Sequence, residues 1–177
     1  MDSGKPRVLV VDDHPANRLA FELVLEKDFD VLLAASGAQA VELAARHDFA
    51  AILLDVRMPL MDGYETALEL RRAPRSRATP IVLTSAYERA PVRALRELAL
   101  DFIVTPVEPE LLRGKIASHA RNATRERALR RQIAEMTCLL QSLREQLAST
   151  AQAGFEGPLA RLDRLSQELK RHAPCPA

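Results

Sequence analysis

"AILLDVRMP" (51–59) runs four apolar residues straight into a carboxylate, followed by a Val, an Arg, a Met and a Pro. So short and apolar a run reads as a strand covered on both faces. A carboxylate at the end of a buried strand is costly unless something nearby needs or neutralises it. What Asp55 is for therefore decides the reading of the fold and of its chemistry.

Outward from that stretch the pattern repeats. "RVLVVDD" (7–13), "FDVLLAA" (29–35), "AAILLD" (50–55), "PIVLTS" (80–85) and "DFIVTP" (101–106) are continuous apolar runs. Between them lie "NRLAFELVLEK", "GAQAVELAARH", "YETALELRR" and "APVRALRELAL", each with a Leu/Val/Ala face, and a fifth helix opens at "EPELLRGKIASHA". Strands alternating with helices over short links predict a doubly wound α/β fold, a five-stranded parallel sheet with helices on both faces.

After residue 121 strand-like runs end. Leu129, Ile133, Met136, Leu140, Leu143 and Leu147 are spaced 4-3-4-3-4, the a/d seam of a heptad repeat, and Cys138 falls off that seam and is expected to be exposed. "AGFEGP" (153–158) interrupts the helical pattern with two Gly and a Pro, and a second amphipathic stretch follows through Leu159, Leu162, Leu165 and Leu169. The expected organisation is a domain over 1–120, a helical coiled-coil or hairpin extension over 121–171, and a tail over 172–177.

The rest of the composition excludes several classes. A formal charge of +1 gives no whole-protein argument for nucleic acid or an acidic membrane. The basic run from Arg113 to Arg131 has seven Lys/Arg and one Glu but no interleaved aromatics, and reads as a solvated helix face. Cys138 and Cys175 are isolated, which suits a reducing cytosol. The opening apolar run is too short for a signal peptide, and no stretch approaches a membrane span. The expected location is cytoplasmic.

In a parallel doubly wound sheet the strand C-termini share one edge, and ligands sit where strand order reverses. With the flavodoxin-like order 2-1-3-4-5, strands one and three are neighbours. Asp12 and Asp13, ending the first, then share a small site with Asp55, ending the third. Three carboxylates repel unless a hard divalent cation neutralises them, and oxygen ligands suit Mg²⁺ or Mn²⁺. A cation with open positions attracts phosphoryl oxygens and leaves Asp55 as the nucleophile.

These residues resemble the receiver domain of two-component response regulators over about residues 7–120. "VLVVDD" carries the acidic pair, "LLDVRMPLMDGYE" (53–65) matches D-x-x-M-P-x-M-D-G-x-E, and Ser85 ends the fourth strand. The resemblance implies a phosphoacceptor at Asp55. It also implies metal ligation by Asp13, by Asp12 (directly or through water), by Asp55 and by the backbone carbonyl of Arg57. Ser85 takes the place of the hydroxyl that bonds the phosphoryl group, and Thr84, one step earlier, is expected to face the other way. Phe102 matches the aromatic switch position. The partners implied are a sensor histidine kinase or a phosphotransfer protein, with no enzymatic turnover beyond self-phosphorylation from a phosphodonor.

Two departures stand out. Where the family places a Lys before the Pro after strand five, this chain has Thr105, which cannot supply an ammonium's charge-assisted bond. The stretch from Ser85 to Phe102 is about two residues shorter than the family pattern, and Leu98 stands where a Gly usually turns the chain. These departures motivate an alternative, a pseudo-receiver that binds partners without phosphorylation. A third reading, a phosphatase of the haloacid dehalogenase kind, lacks its D-x-D-x-T after the first strand.

Met58-Pro59 and Asp62-Gly63 read as loop geometry, and His14 as a loop or capping residue; His47, His119 and His172 have no companions at ligand spacing. The seam over 129–147 predicts a homodimer, or else an intramolecular hairpin with the 159–169 stretch. "AGFEGPLARLDRLSQEL" (153–169) also resembles the phosphoacceptor helix of histidine kinases, H-E-x-x-x-P-L, with Ala153 where the His would stand. The competing reading is an ordinary helix start with Gly157 near the N-cap and Pro158 at N1. The 177 residues are expected to leave no room for an appended kinase, cyclase or DNA-binding domain.

Overall fold

The computed structural model describes residues 4–86, 101–150 and 161–168. In chain order the elements are β1 (Arg7–Val11), α1 (Pro15–Leu25), β2 (Asp30–Ala34), α2 (Gly37–Arg46), β3 (Ala51–Asp55), α3 (Gly63–Arg72), β4 (Ile81–Ser85), β5 (Asp101–Val104) and α4 (Pro109–Thr150). The strands form one sheet in the order β2-β1-β3-β4-β5, every neighbouring pair parallel. The doubly wound architecture and its strand order are those the sequence predicts. The helix expected over 90–100, including Leu98, lies outside the described residues.

Side-chain alternation along each strand feeds two cores. Leu9, Val11, Ile52, Leu54, Ile81 and Leu83 pack with Ala40 and Ala44 of α2 and Ala67 and Leu70 of α3. Val8, Val10, Leu53, Val82 and Ile103 pack with Leu25 of α1 and Leu112, Ile116 and Ala120 of α4. Both faces of the central strands are dry, which is why their sequences are unbroken apolar runs rather than alternating ones. α1 and α4 thus cover one face and α2 and α3 the other.

Helix starts are written locally. The Ser36 hydroxyl accepts the Gln39 N–H at 3.2 Å, capping α2. Asp62 and Glu65 form a reciprocal capping box at α3: Asp62 Oδ1 accepts the Glu65 N–H at 2.8 Å, and Glu65 Oε2 accepts the Asp62 N–H at 3.1 Å. Pro15 opens α1 at a position whose N–H would lack a helical partner anyway.

The chain divides into two compact units, residues 1–124 and 125–177. α4 has no break where the domain was expected to end; its 42 residues continue from the first unit into the second. Within the second unit, Arg144 Nε pairs with Asp163 Oδ1 at 2.9 Å, which lays the helical 161–168 stretch beside α4. Thr137 and Ser166 are buried. The heptad seam is split by this arrangement. Ile133 and Leu140 are half-buried, whereas Leu129, Met136, Leu143 and Leu147 are exposed, as is Cys138. The Gly/Pro interruption at 153–158, on which the resemblance to a kinase phosphoacceptor helix rests, and the 172–177 tail lie outside the described residues. Among the described residues, no helix is long and apolar enough to cross a membrane.

Candidate functional site

β1 and β3 run side by side, with Val11 level with Leu54. The next residue on each strand is acidic, so Asp12 and Asp55 fall together at the C-terminal edge of the sheet. Asp12 is buried and its charge is met locally: Asn17 Nδ2 donates to both carboxylate oxygens at 3.2 and 3.0 Å, and the His14 N–H donates to Oδ1 at 2.8 Å. Arg18 Nη1 holds the Asp12 carbonyl at 2.6 Å. Asp13 is half-buried, and His14 Nδ1 lies 2.9 Å from its Oδ1. The first turns of α1 thereby fix the acidic pair.

His14 is the N-cap residue of α1, as its loop or capping reading anticipates, though its side chain makes no cap bond. Its imidazole lies with the Asp12 and Asp13 carboxylates in a group whose ligand atoms are all within 4.8 Å of one another. Asn17 and Arg18 escaped the sequence reading. Their signal is a position one turn into a helix that starts directly after the pair, where side chains tilt back toward the N-terminus.

Asp55 is half-buried and accepts the Arg57 N–H at 3.1 Å. Its carboxyl is pushed up from 3.8 to about 6, chiefly by burial and next by the Asp12 charge; the Arg57 and Val56 N–H groups pull it down, and Asp13 adds to the rise. The site therefore holds more negative charge than its own donors neutralise. A donor set of carboxylates around a carboxylate that resists ionising fits a hard divalent cation, which would relieve the repulsion.

The rest of the motif holds Asp55 in place. The Gly63 N–H donates to Val56 O at 2.9 Å, and a Cβ on Gly63 would lie 2.3 Å from Asp55 O. The Met58 side chain is buried in the core. Asp62-Gly63 is thus loop geometry, as read from sequence, and in addition the start of α3.

On the neighbouring strand, Thr84 is level with Asp55, and Ser85 closes β4 one residue further along. Both are buried. Val82 and Leu83 enter opposite cores, so Thr84 and Ser85 face opposite ways, as alternation requires. The Thr105 N–H donates to Ser85 O at 2.8 Å, which sets Thr105 beside the end of β4; its peptide bond to Pro106 is cis. Phe102, half-buried, packs against the α2/α3-side core.

The family model for the response regulator receiver domain matches residues 8–117. The chain belongs to that family. Response regulator PleD of Caulobacter vibrioides (strain NA1000 / CB15N) is 32% identical to this receiver over 163 residues, which are 90% of this chain and 33% of PleD. The transcriptional regulatory protein SrrA of Staphylococcus aureus (strain NCTC 8325 / PS 47) is 36% identical over 105 residues, 58% of this chain and 42% of SrrA. The chain thus spans less than half the length of either relative. Among solved structures, the receiver domain of sensor histidine kinase PA1611 from Pseudomonas aeruginosa PAO1, which holds a magnesium ion in its active-site cleft, matches with a TM-score of 0.61 at 29% identity, covering 66% of this chain and 98% of that one. The chemotaxis protein CheY4 of Vibrio cholerae matches with a TM-score of 0.61 at 28% identity, covering 65% and 98%.

Proposed function

We propose that this receiver accepts a phosphoryl group on Asp55 in the presence of Mg²⁺ or Mn²⁺ and signals through protein contacts of its C-terminal helices. The observation that carries the reading is the place of the Asp55 carboxyl, half-buried at the end of β3 beside Asp12, where burial and the Asp12 charge push it up to about 6 when no cation is bound. Asp12, Asp13, Asp55 and the Arg57 carbonyl would hold the cation. When bound, it supplies the positive charge that offsets the carboxylates and the phosphoryl oxygens.

In the transfer, an Asp55 carboxylate oxygen attacks phosphorus in line. The bond to the donor's nitrogen or oxygen breaks, and the leaving group takes the electron pair and then a proton from water. Ser85, at the very edge of β4, is the hydroxyl proposed to bond the transferred group; Thr84, one residue earlier, faces the other way. Phe102 occupies the switch position on β5.

The donor is a histidine-phosphorylated kinase or phosphotransfer protein. A surface for it lies on α1, whose N-terminus abuts the acidic pair and whose Leu19 and Leu23, one turn apart, are exposed. Homodimerisation through the 129–147 helix is part of the same proposal, as is a cytoplasmic setting without nucleic-acid binding by these residues.

Beryllofluoride, a phosphoryl mimic, tests the site without turnover. Mg²⁺-dependent binding by fluorine NMR is expected in the wild type and absent in Asp55→Asn.

The second reading, a binding module indifferent to phosphorylation, is favoured by Thr105, which brings a neutral hydroxyl where the family carries an ammonium. Absence of beryllofluoride binding in the wild type would select it.

A further inference from the structure

We infer that two copies of this chain pair along one exposed line of α4, Leu129–Met136–Leu139–Leu143–Leu147, and not along the full 129–147 heptad seam. This rests on the proposal that the chain dimerises through that helix, and it changes which residues do so. Exposure separates the helix into two apolar edges. Ile133 and Leu140 are half-buried and Thr137 is buried, on the side where Arg144 meets Asp163. Leu129, Met136, Leu139, Leu143 and Leu147 are 57%, 53%, 63%, 49% and 41% exposed. Leu139, which lies outside the a/d spacing, is the most exposed of the five and sits beside Met136 and Leu143 on the helix surface.

Five large apolar side chains, each about half uncovered, amount to a stripe on the order of a few hundred Å², the size at which exposed patches mark interfaces. Its occupant follows from the period of the stripe. Leu129, Met136 and Leu143 recur every seven residues, and such a line stays in contact only with another helix of the same period. A second copy supplies that period by symmetry. Gln132 lies within the stripe and Gln146 on its flank; Glu135, one turn before Leu139, is on the same flank and Arg125 continues the line beyond Leu129, while Arg127, Arg131 and Glu145 lie on the far side with Cys138. Leu165, on the stretch packed beside α4, is also 46% exposed, so each helix of the pair presents apolar surface outward.

The test is sedimentation of the full chain as wild type, Met136→Glu/Leu139→Glu and Ala134→Glu, with helicity checked by circular dichroism. The expected result is a dimeric wild type, a monomeric double variant with unchanged helicity, and a dimeric Ala134→Glu. Cys138, opposite the stripe, should react with a thiol reagent at the same rate in dimer and monomer. A wild type that is monomeric overturns both this inference and the dimer reading. A dimeric double variant, or slowed Cys138 labelling in the dimer, overturns the inference alone and leaves dimerisation to another face.

Discussion

Asp55 has a folded-state pKa of about 6 against an ordinary 3.8, so the metal-free native protein binds a proton more readily than the unfolded chain across that window. The stability this proton confers is fully present below pH 4 and is lost as pH rises through about 6. Asp55→Asn should abolish that loss and raise the melting temperature at pH 7.5 without metal, by about 2–4 °C for each kcal/mol of relieved strain. Adding Mg²⁺ should raise the wild-type melting temperature and leave Asp55→Asn nearly unmoved. Thermal melts at pH 4, 6 and 7.5, with EDTA or with Mg²⁺, check both outcomes. At the same scale, Thr105 lies beside the end of β4 through its bond to Ser85 O. Thr105→Lys should speed labelling of Asp55 or tighten beryllofluoride binding by about tenfold, the worth of one charge-assisted bond. An unchanged rate and affinity would mean that the site already draws its positive charge from elsewhere.

Among the elements, the junction from β3 to α3 is the most tightly specified. A methyl group on Gly63 would overlap the Asp55 carbonyl and the Val56 Cα, so Gly63→Ala must displace the strand end that presents the acceptor. That substitution should cost about 1–3 kcal/mol in denaturant unfolding and lower Asp55 labelling. Asp62→Ala, which removes only the cap, should cost about 1 kcal/mol and spare labelling. This junction was legible in the sequence in part, as an apolar run ending in a carboxylate and an Asp-Gly loop; the capping box at Asp62 and the close approach at Gly63 show only in the structure. Asn17 and Arg18 were not legible, because nothing in their types announces that they turn back onto Asp12. Nor was the splitting of the heptad seam, since the 4-3 spacing does not say which of its residues are covered, whereas the buried Thr137 and the ion pair between Arg144 and Asp163 do.

At the scale of the whole molecule, strand–helix alternation gives the parallel doubly wound sheet, while the order 2-1-3-4-5 comes with the flavodoxin-like pattern, and the site lies where that order reverses. The boundary of the receiver was harder to place. The expected division at residue 120 falls inside α4, whose helical pattern continues unbroken into the second unit. Ala120 and Ala123 are still buried, whereas Arg125 is exposed, so a chain ending at Thr124 should retain the receiver's cooperative melt by circular dichroism. A melt lowered by more than about 5 °C would show that the second unit supports the first.

The central claim is that Asp55 is a working phosphoacceptor despite Thr105, and intact mass spectrometry after incubation with acetyl phosphate and Mg²⁺ addresses it most directly. The account predicts a single added phosphoryl group on the wild type, lost with EDTA and absent in Asp55→Asn. An unmodified wild type, or equal labelling of Asp55→Asn, would contradict it.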